Sequence, residues 1–135
     1  MRIDVRGPRF GAAVTTVVLA AVLITGSAWL LAAQTVVFGL GAALGTRYAP
    51  YGVLFRVVVL PRLGPVRETE DAGPPRFAQA VGLGFALAGL IGYVAGPQAL
   101  GMAATACALA AAFLNAAFGY CLGCEAYLLL RRALN

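Results

Sequence analysis

The chain has 135 residues, 61% of them hydrophobic and only 11% charged, against about 25% charged in an ordinary soluble domain. That excludes a water-soluble globular fold and leaves room for about four membrane-spanning helices and little else. The net charge of +5 would suit nucleic acid, but the cations form no basic stripe with interleaved aromatics, so no nucleic-acid partner is expected.

Every basic residue is Arg, in three groups: Arg2, Arg6 and Arg9; Arg47, Arg56, Arg62, Arg67 and Arg76; Arg131 and Arg132. Between them, Phe10–Thr46 and Phe77–Cys124 carry no charge at all. An uncharged apolar run longer than about 18 residues is a candidate membrane span, because an ion at the bilayer centre costs several kcal/mol.

Arg2–Arg9 followed by an apolar run resembles the start of a secretory signal. The run continues through Leu44, however, well past an h-region of about 7–15 residues, and reads as a retained membrane segment. It is too long for one upright helix across about 30 Å of hydrocarbon. Thr25-Gly26-Ser27 is the cluster of turn formers near its middle, which divides it into spans at about 10–25 and 27–45. A single long tilted helix is the alternative. Trp29 then lies close to an interface.

The loop 47–75 follows. Tyr48–Leu63 mixes Arg56 and Arg62 with Val53, Leu54, Phe55, Val57, Val58, Val59 and Leu60. That pattern suits an in-plane interfacial segment with snorkelling Arg side chains; a re-entrant element lining a cavity is the alternative. Arg67–Pro75 is polar and rich in turn formers, which predicts an exposed loop and the most mobile segment of the chain.

Phe77–Cys124 divides at Gly96-Pro97-Gln98, where Gly ends one helix and Pro begins the next. The spans are then about 76–95 and 98–124. Gly41 and Gly45 have GxxxG spacing, and Gly82, Gly84, Gly89 and Gly92 crowd the third span; such residues let helices approach closely in lipid. With the chain starting in the cytoplasm, every Arg group lies inside and both outer turns are uncharged, as the positive-inside rule requires. The reading is an all-α polytopic protein of the plasma membrane. Residues 1–135 form a single membrane domain, a four-helix transmembrane bundle with an interfacial segment in its cytoplasmic loop, and both termini are cytoplasmic.

Cys121-Leu122-Gly123-Cys124 is the constellation with chemical content. Cysteines three apart on a helix share a face at about the 5.5 Å Cα separation of a disulfide. The spacing serves thiol–disulfide exchange, half of a metal site, or packing alone. The chain has no His, and its other cysteine, Cys107, lies about four turns back along the predicted helix. No four-ligand metal site, no cofactor and no His-dependent triad is therefore expected.

Where the pair sits on its helix decides its reactivity. At the C-terminal end of a helix running unbroken from Gln98, the dipole and Glu125 would disfavour thiolate. If Gly119 or Gly123 breaks the helix, the pair would instead cap a new N-terminus, the usual setting of a reactive CxxC. Asn115 and Gln79 are the polar groups at the same end of spans four and three, expected to form an interhelical hydrogen bond worth about 1 kcal/mol. Gln34 in span two carries the same expectation.

Gly73-Pro74-Pro75-Arg76-Phe77-Ala78-Gln79-Ala80-Val81-Gly82, the run Leu114–Tyr127 around the cysteines, and Arg47-Tyr48-Ala49-Pro50 with Leu54-Phe55-Arg56 together resemble the DUF4395 family of small bacterial membrane proteins. The resemblance covers nearly the whole chain. It implies a gene setting in actinobacteria near thioredoxin-like or rhodanese-type proteins, and hence thiol or sulfur chemistry.

Three functions follow as expectations. The first is thiol–disulfide redox or sulfur relay through Cys121 and Cys124 at the cytoplasmic membrane boundary, supported by Asn115, Gln79 and Glu125. Its partners would be membrane lipid and a cytoplasmic thioredoxin-like or rhodanese-type protein. The alternatives are a non-enzymatic subunit or scaffold among the subunits of a larger membrane complex, and a small transporter component.

Overall fold

A computed structural model describes residues 2–4, 6–45, 48–64, 69–71 and 73–134. Its elements in chain order are β1 (Arg2–Asp4), α1 (Arg6–Thr25), α2 (Ala28–Leu44), α3 (Pro50–Leu54), a π-helical turn (Phe55–Val59), a 3-10 turn (Leu60–Arg62), β2 (Thr69–Asp71), α4 (Gly73–Ala95), α5 (Gln98–Phe118) and α6 (Leu122–Leu134). The chain is almost entirely helical. The all-α expectation needs one amendment: β1 and β2 form a two-stranded antiparallel ribbon, with Arg2 opposite Asp71, Ile3 opposite Glu70 and Asp4 opposite Thr69.

Three helices, α1, α4 and α5, are long and apolar enough to cross a membrane, while α2 is apolar but has only 17 residues. The single-tilted-helix alternative for the first run fails at Gly26. Its φ of 66° ends α1, and the Ser27 side chain caps α2 by accepting from Leu30 N at 3.2 Å. Gly96-Pro97 separates α4 from α5 as expected, with Pro97 as the N-cap of α5.

The four long helices close a ring, α1 on α2, α2 on α4, α4 on α5 and α5 on α1. Leu19, Val22, Leu31, Phe38, Ala86 and Ala108 form its buried core. Small residues make the contacts: Cβ atoms at Gly41 and Gly82 would fall within 2.7 Å of Gln79 Oε1 and Phe38 Cε1, and one at Gly101 would stand 2.9 Å from the Tyr93 ring. Large apolar side chains point outward instead, among them Val17, Ile24, Trp29 and Val94. Close helix contacts at small residues, with apolar side chains outward as well as in the core, suit lipid. Two glycines depart from the helix-packing expectation: Gly45, with φ 90°, ends α2, and Gly84 meets nothing within 4 Å.

Gln34 is 1% exposed and bridges helices as expected. Tyr51 Oη donates to its Oε1 at 2.6 Å, and its Nε2 donates to Thr15 Oγ1 at 3.4 Å. Burial pushes the Tyr51 phenol above its ordinary value. The bond anchors the helical segment Pro50–Arg62, which runs beside α1 with Phe55 buried against Phe10 at 5.9 Å. Val53, Leu54, Val57 and Val58 remain exposed.

The exposed-loop prediction for Arg67–Pro75 is corrected where the structure describes it. Thr69–Asp71 is paired in the ribbon and Gly73-Pro74-Pro75 opens α4, since Pro has no N–H to leave unsatisfied in a first helical turn. Arg67, Glu68, Ala72 and Arg47 lie outside the described residues.

Candidate functional site

The site lies at the end of the helical ring where α1, α4 and α6 begin and α2 and α5 finish. The helix predicted to run through Cys124 stops at Phe118. Gly119 takes the left-handed conformation, φ 69°, which only glycine adopts without cost. Its N–H and that of Tyr120 turn back to Asn115 O at 3.0 Å and Leu114 O at 3.3 Å. The chain then restarts as α6, with the two cysteines bracketing its first turn. The second of the two settings open from the sequence, a new N-terminus, is the one adopted.

Cys121 and Cys124 form a disulfide with Cα atoms 5.1 Å apart. Cys121 stands where an N-cap residue stands. Cys124 N donates to Cys121 Sγ at 3.1 Å, and Glu125 N donates to Cys121 O at 3.0 Å. A sulfur in that place faces the positive end of the α6 dipole, which favours negative charge on it. Exposed Glu125 sits in the same first turn.

Gly123, between the cysteines, fixes where this turn lies. A Cβ there would come within 2.6 Å of Ala78 Cα and Cβ, so α6 approaches α4 to backbone contact. Tyr127 continues the contact one turn later, its ring 5.6 Å from Phe77.

Two arginines close this end of the ring. Arg9, from the first turn of α1, donates through Nη2 to Ala116 O at 3.2 Å. Arg76 donates through Nε to Ala42 O at 2.6 Å and through Nη2 to Ala43 O at 2.5 Å. Each cation meets the last, unpartnered carbonyls of a helix, where the dipole is negative. Nothing in the sequence marks these two among the ten arginines; the role depends on which helix end the fold brings alongside.

A third arginine works outside the ring. Arg6 pairs with Asp4 at 2.8 Å and donates to Gly64 O at 3.2 Å. The hydrogen bonds from Arg6 hold the Asp4 carboxyl below its ordinary value.

Between α1, α4, α5 and α6 opens a cleft of about 910 Å³, lined by Arg9, Gln79, Asn115, Glu125 and both bonded cysteines. Gln79 and Asn115 thus share one cavity, but no hydrogen bond joins them among the described residues; Gln79 packs over Gly41 instead. Cys107, a free and exposed thiol, lines the same cleft farther along α5. None of residues 50–62 lines this cleft. Among the described residues no cluster of three or more His, Cys, Asp or Glu could hold a metal ion.

These features define a class: helical proteins with apolar helices of membrane-spanning length and a CxxC disulfide at a helix N-terminus in a cleft. Within that class the chain belongs to the DUF4395 family, a domain of unknown function, whose family model matches residues 3–132. No curated protein and no solved structure matches it.

Proposed function

We propose that this is a four-helix integral membrane protein that cycles Cys121 and Cys124 between dithiol and disulfide, exchanging with a soluble thioredoxin-like or rhodanese-type partner on the cytoplasmic side. The observation that carries the reading is the Cys124 N–H donated to Cys121 Sγ at 3.1 Å. It is the interaction by which a helix N-terminus makes one cysteine of a CxxC pair the attacking thiolate. Cys121 is therefore the nucleophile and Cys124 the resolving cysteine. Exposed Glu125 and the open mouth of the cleft leave the pair accessible to a partner.

The membrane arrangement rests on the one-sidedness of the charge. Arg6, Arg9, Arg62 and Arg76 belong to the end where α1 and α4 begin, while the turns at Gly26-Ser27 and Gly96-Pro97 carry none. Cytoplasmic termini then satisfy the positive-inside rule. The exposed apolar row Val53, Leu54, Val57 and Val58 suits a segment lying at the inner headgroups. The scaffold alternative draws less support, because Gly41, Gly82, Gly89, Gly92, Gly101 and Gly123 all face contacts within the chain.

Thiol trapping in native membranes tests the function. A maleimide shift that appears on mild reduction and reverses on oxidation is expected, lost in Cys121→Ser and Cys124→Ser and kept in Cys107→Ser. A pair locked in one state under every redox buffer overturns the reading. Single cysteines at Ser27 and Gly64 in a Cys-free background test the orientation: Ser27→Cys should label from outside and Gly64→Cys only from inside. Labelling of both from one side refutes it.

A further inference from the structure

The cleft is larger than the disulfide requires. Its volume of about 910 Å³ lies near the top of the range of about 300–1,000 Å³ for small-molecule sites. A soluble partner would use only its mouth. The wall supplied by α5 runs from Cys107 to Asn115 and on to Gly119, which at 1.5 Å per residue is about 18 Å of length. Phe38 of α2 and Val81 and Phe85 of α4 line it as well. Arg9, Gln79, Asn115 and Glu125 gather at the cysteine end, and Thr15 is a polar lining residue farther along α1. A long, mainly apolar slot therefore ends in a cation, two amides and a redox-capable sulfur pair.

We infer that this cleft binds an isoprenoid quinone, with the ring at Cys121–Cys124 and the tail along α5, and that the quinone reoxidises the dithiol. The inference rests on the redox reading of the pair and names its electron acceptor. Two S–H bonds break and one S–S bond forms; the two electrons and two protons pass to the quinone, whose carbonyl oxygens become hydroxyls. The sulfurs are oxidised and the quinone is reduced.

Arg9 is the positioning residue. A guanidinium has five N–H donors, and among the described residues Arg9 gives one hydrogen bond, to Ala116 O. The donors left over match a quinone carbonyl, on which negative charge builds as electrons arrive. A phospholipid headgroup would match the cation equally but has no use for the disulfide, and a soluble disulfide would leave the apolar length empty.

The test uses the full chain in phosphatidylcholine discs, reduced with a phosphine, freed of excess reductant and mixed anaerobically with decylubiquinone, whose fully substituted ring resists addition of a thiol. Expected are one quinol per disulfide formed and a rate that saturates with quinone. Arg9→Gln should slow the reaction at least about tenfold, as removal of a donor to a developing oxyanion does, with partial recovery in Arg9→Lys. Since Arg9→Gln also uncaps α5, Ala111→Phe, which fills the cleft without touching the cap, serves as a second variant and should abolish saturation. In Cys121→Ser, Cys124→Ser protein, where Cys107 is the remaining thiol, decylubiquinone should slow maleimide attack on Cys107.

A rate linear in quinone and equal in wild type, Arg9→Gln and Ala111→Phe would mean collision rather than binding and overturns the proposal. So does protection of Cys107 by phosphatidylglycerol but not by decylubiquinone. A pair that cycles with a glutathione buffer but ignores the quinone removes the proposal alone. A pair that cycles with neither removes the redox reading as well.

Discussion

Where α4 turns into α5, two helices are held together by missing side chains; at the opposite end, helices are held by two of the longest side chains in the chain. A Cβ on Gly92 would overlap the backbone of Gly101, and no charged residue is near. At the cysteine end, Arg9 and Arg76 reach across to the final carbonyls of α5 and α2. The uncharged end is locked by contact between backbones, which cannot relax without moving a helix. The arginine end is closed by flexible side chains and keeps a cleft. Contact between helix backbones without side chains marks one end, and at the other lie space, charge and the cysteine pair.

The sharpest way to break this contrast is to add atoms at the uncharged end. Gly92→Val should destabilise the protein by about 3 kcal/mol or more, since overpacking a tight contact costs about 1–3 kcal/mol even where neighbours can shift. Gly84→Val, eight residues earlier on α4 and facing open space, should be close to neutral. Unfolding titrations in a denaturing detergent measure both. Equal losses for the two variants would show that the Gly92–Gly101 crossing does not hold this end.

A smaller effect is expected at the cysteine end. Gly123→Ala places a methyl group against Ala78, and α6 can yield by swinging away from α4, so the cost should be about 1–2 kcal/mol. The consequence for the site should exceed the consequence for the fold. Alkylation of Cys121 and Cys124 after reduction should speed up, while helix content by circular dichroism stays near wild type. Unchanged alkylation together with unchanged stability would mean that Gly123 does not position the pair.

The same contrast explains what could be read from the sequence. Turns made by backbone punctuation were legible: Gly26-Ser27 and Gly96-Pro97 interrupt uncharged runs, and the helix limits fall there. So were the membrane-length helices, because one charge inside them would cost so much. The end of α5 was legible only as one of two possibilities. The run from Gln98 to Cys124 is uncharged throughout, and Gly119 is one of 17 glycines in the chain. Gly41 and Gly45 look alike in spacing, yet one packs under Gln79 and the other ends a helix. The ribbon of β1 and β2 was illegible because three residues on each side carry no periodic signal long enough to read. The cleft, too, belongs to five helices at once, and no local pattern encodes it.

The smallest effect sharpens the contrast from outside the helical ring. Asp4 and Arg6 clamp the entry to α1, with Arg6 N and the guanidinium both donating to the carboxylate. Because Arg6 holds the Asp4 carboxyl below its ordinary value of 3.8, the unfolded chain takes up a proton there before the folded chain does. The clamp therefore contributes in full above that ordinary value, and its contribution drains away as the pH falls through the lower, folded value. Asp4→Asn should be slightly less stable than wild type at neutral pH, and the difference should shrink with added salt, as it does for an accessible ion pair. Below the folded value the two proteins should converge, because the wild-type carboxyl is then protonated as well. Gly92→Val, by contrast, should show the same loss at every pH, since no titrating group takes part in that crossing. Detergent unfolding of the three proteins in a series from pH 7 downward separates the two behaviours. A difference between wild type and Asp4→Asn that stays constant down the whole acid series would show that Asp4 acts through helix-capping geometry rather than through its charge.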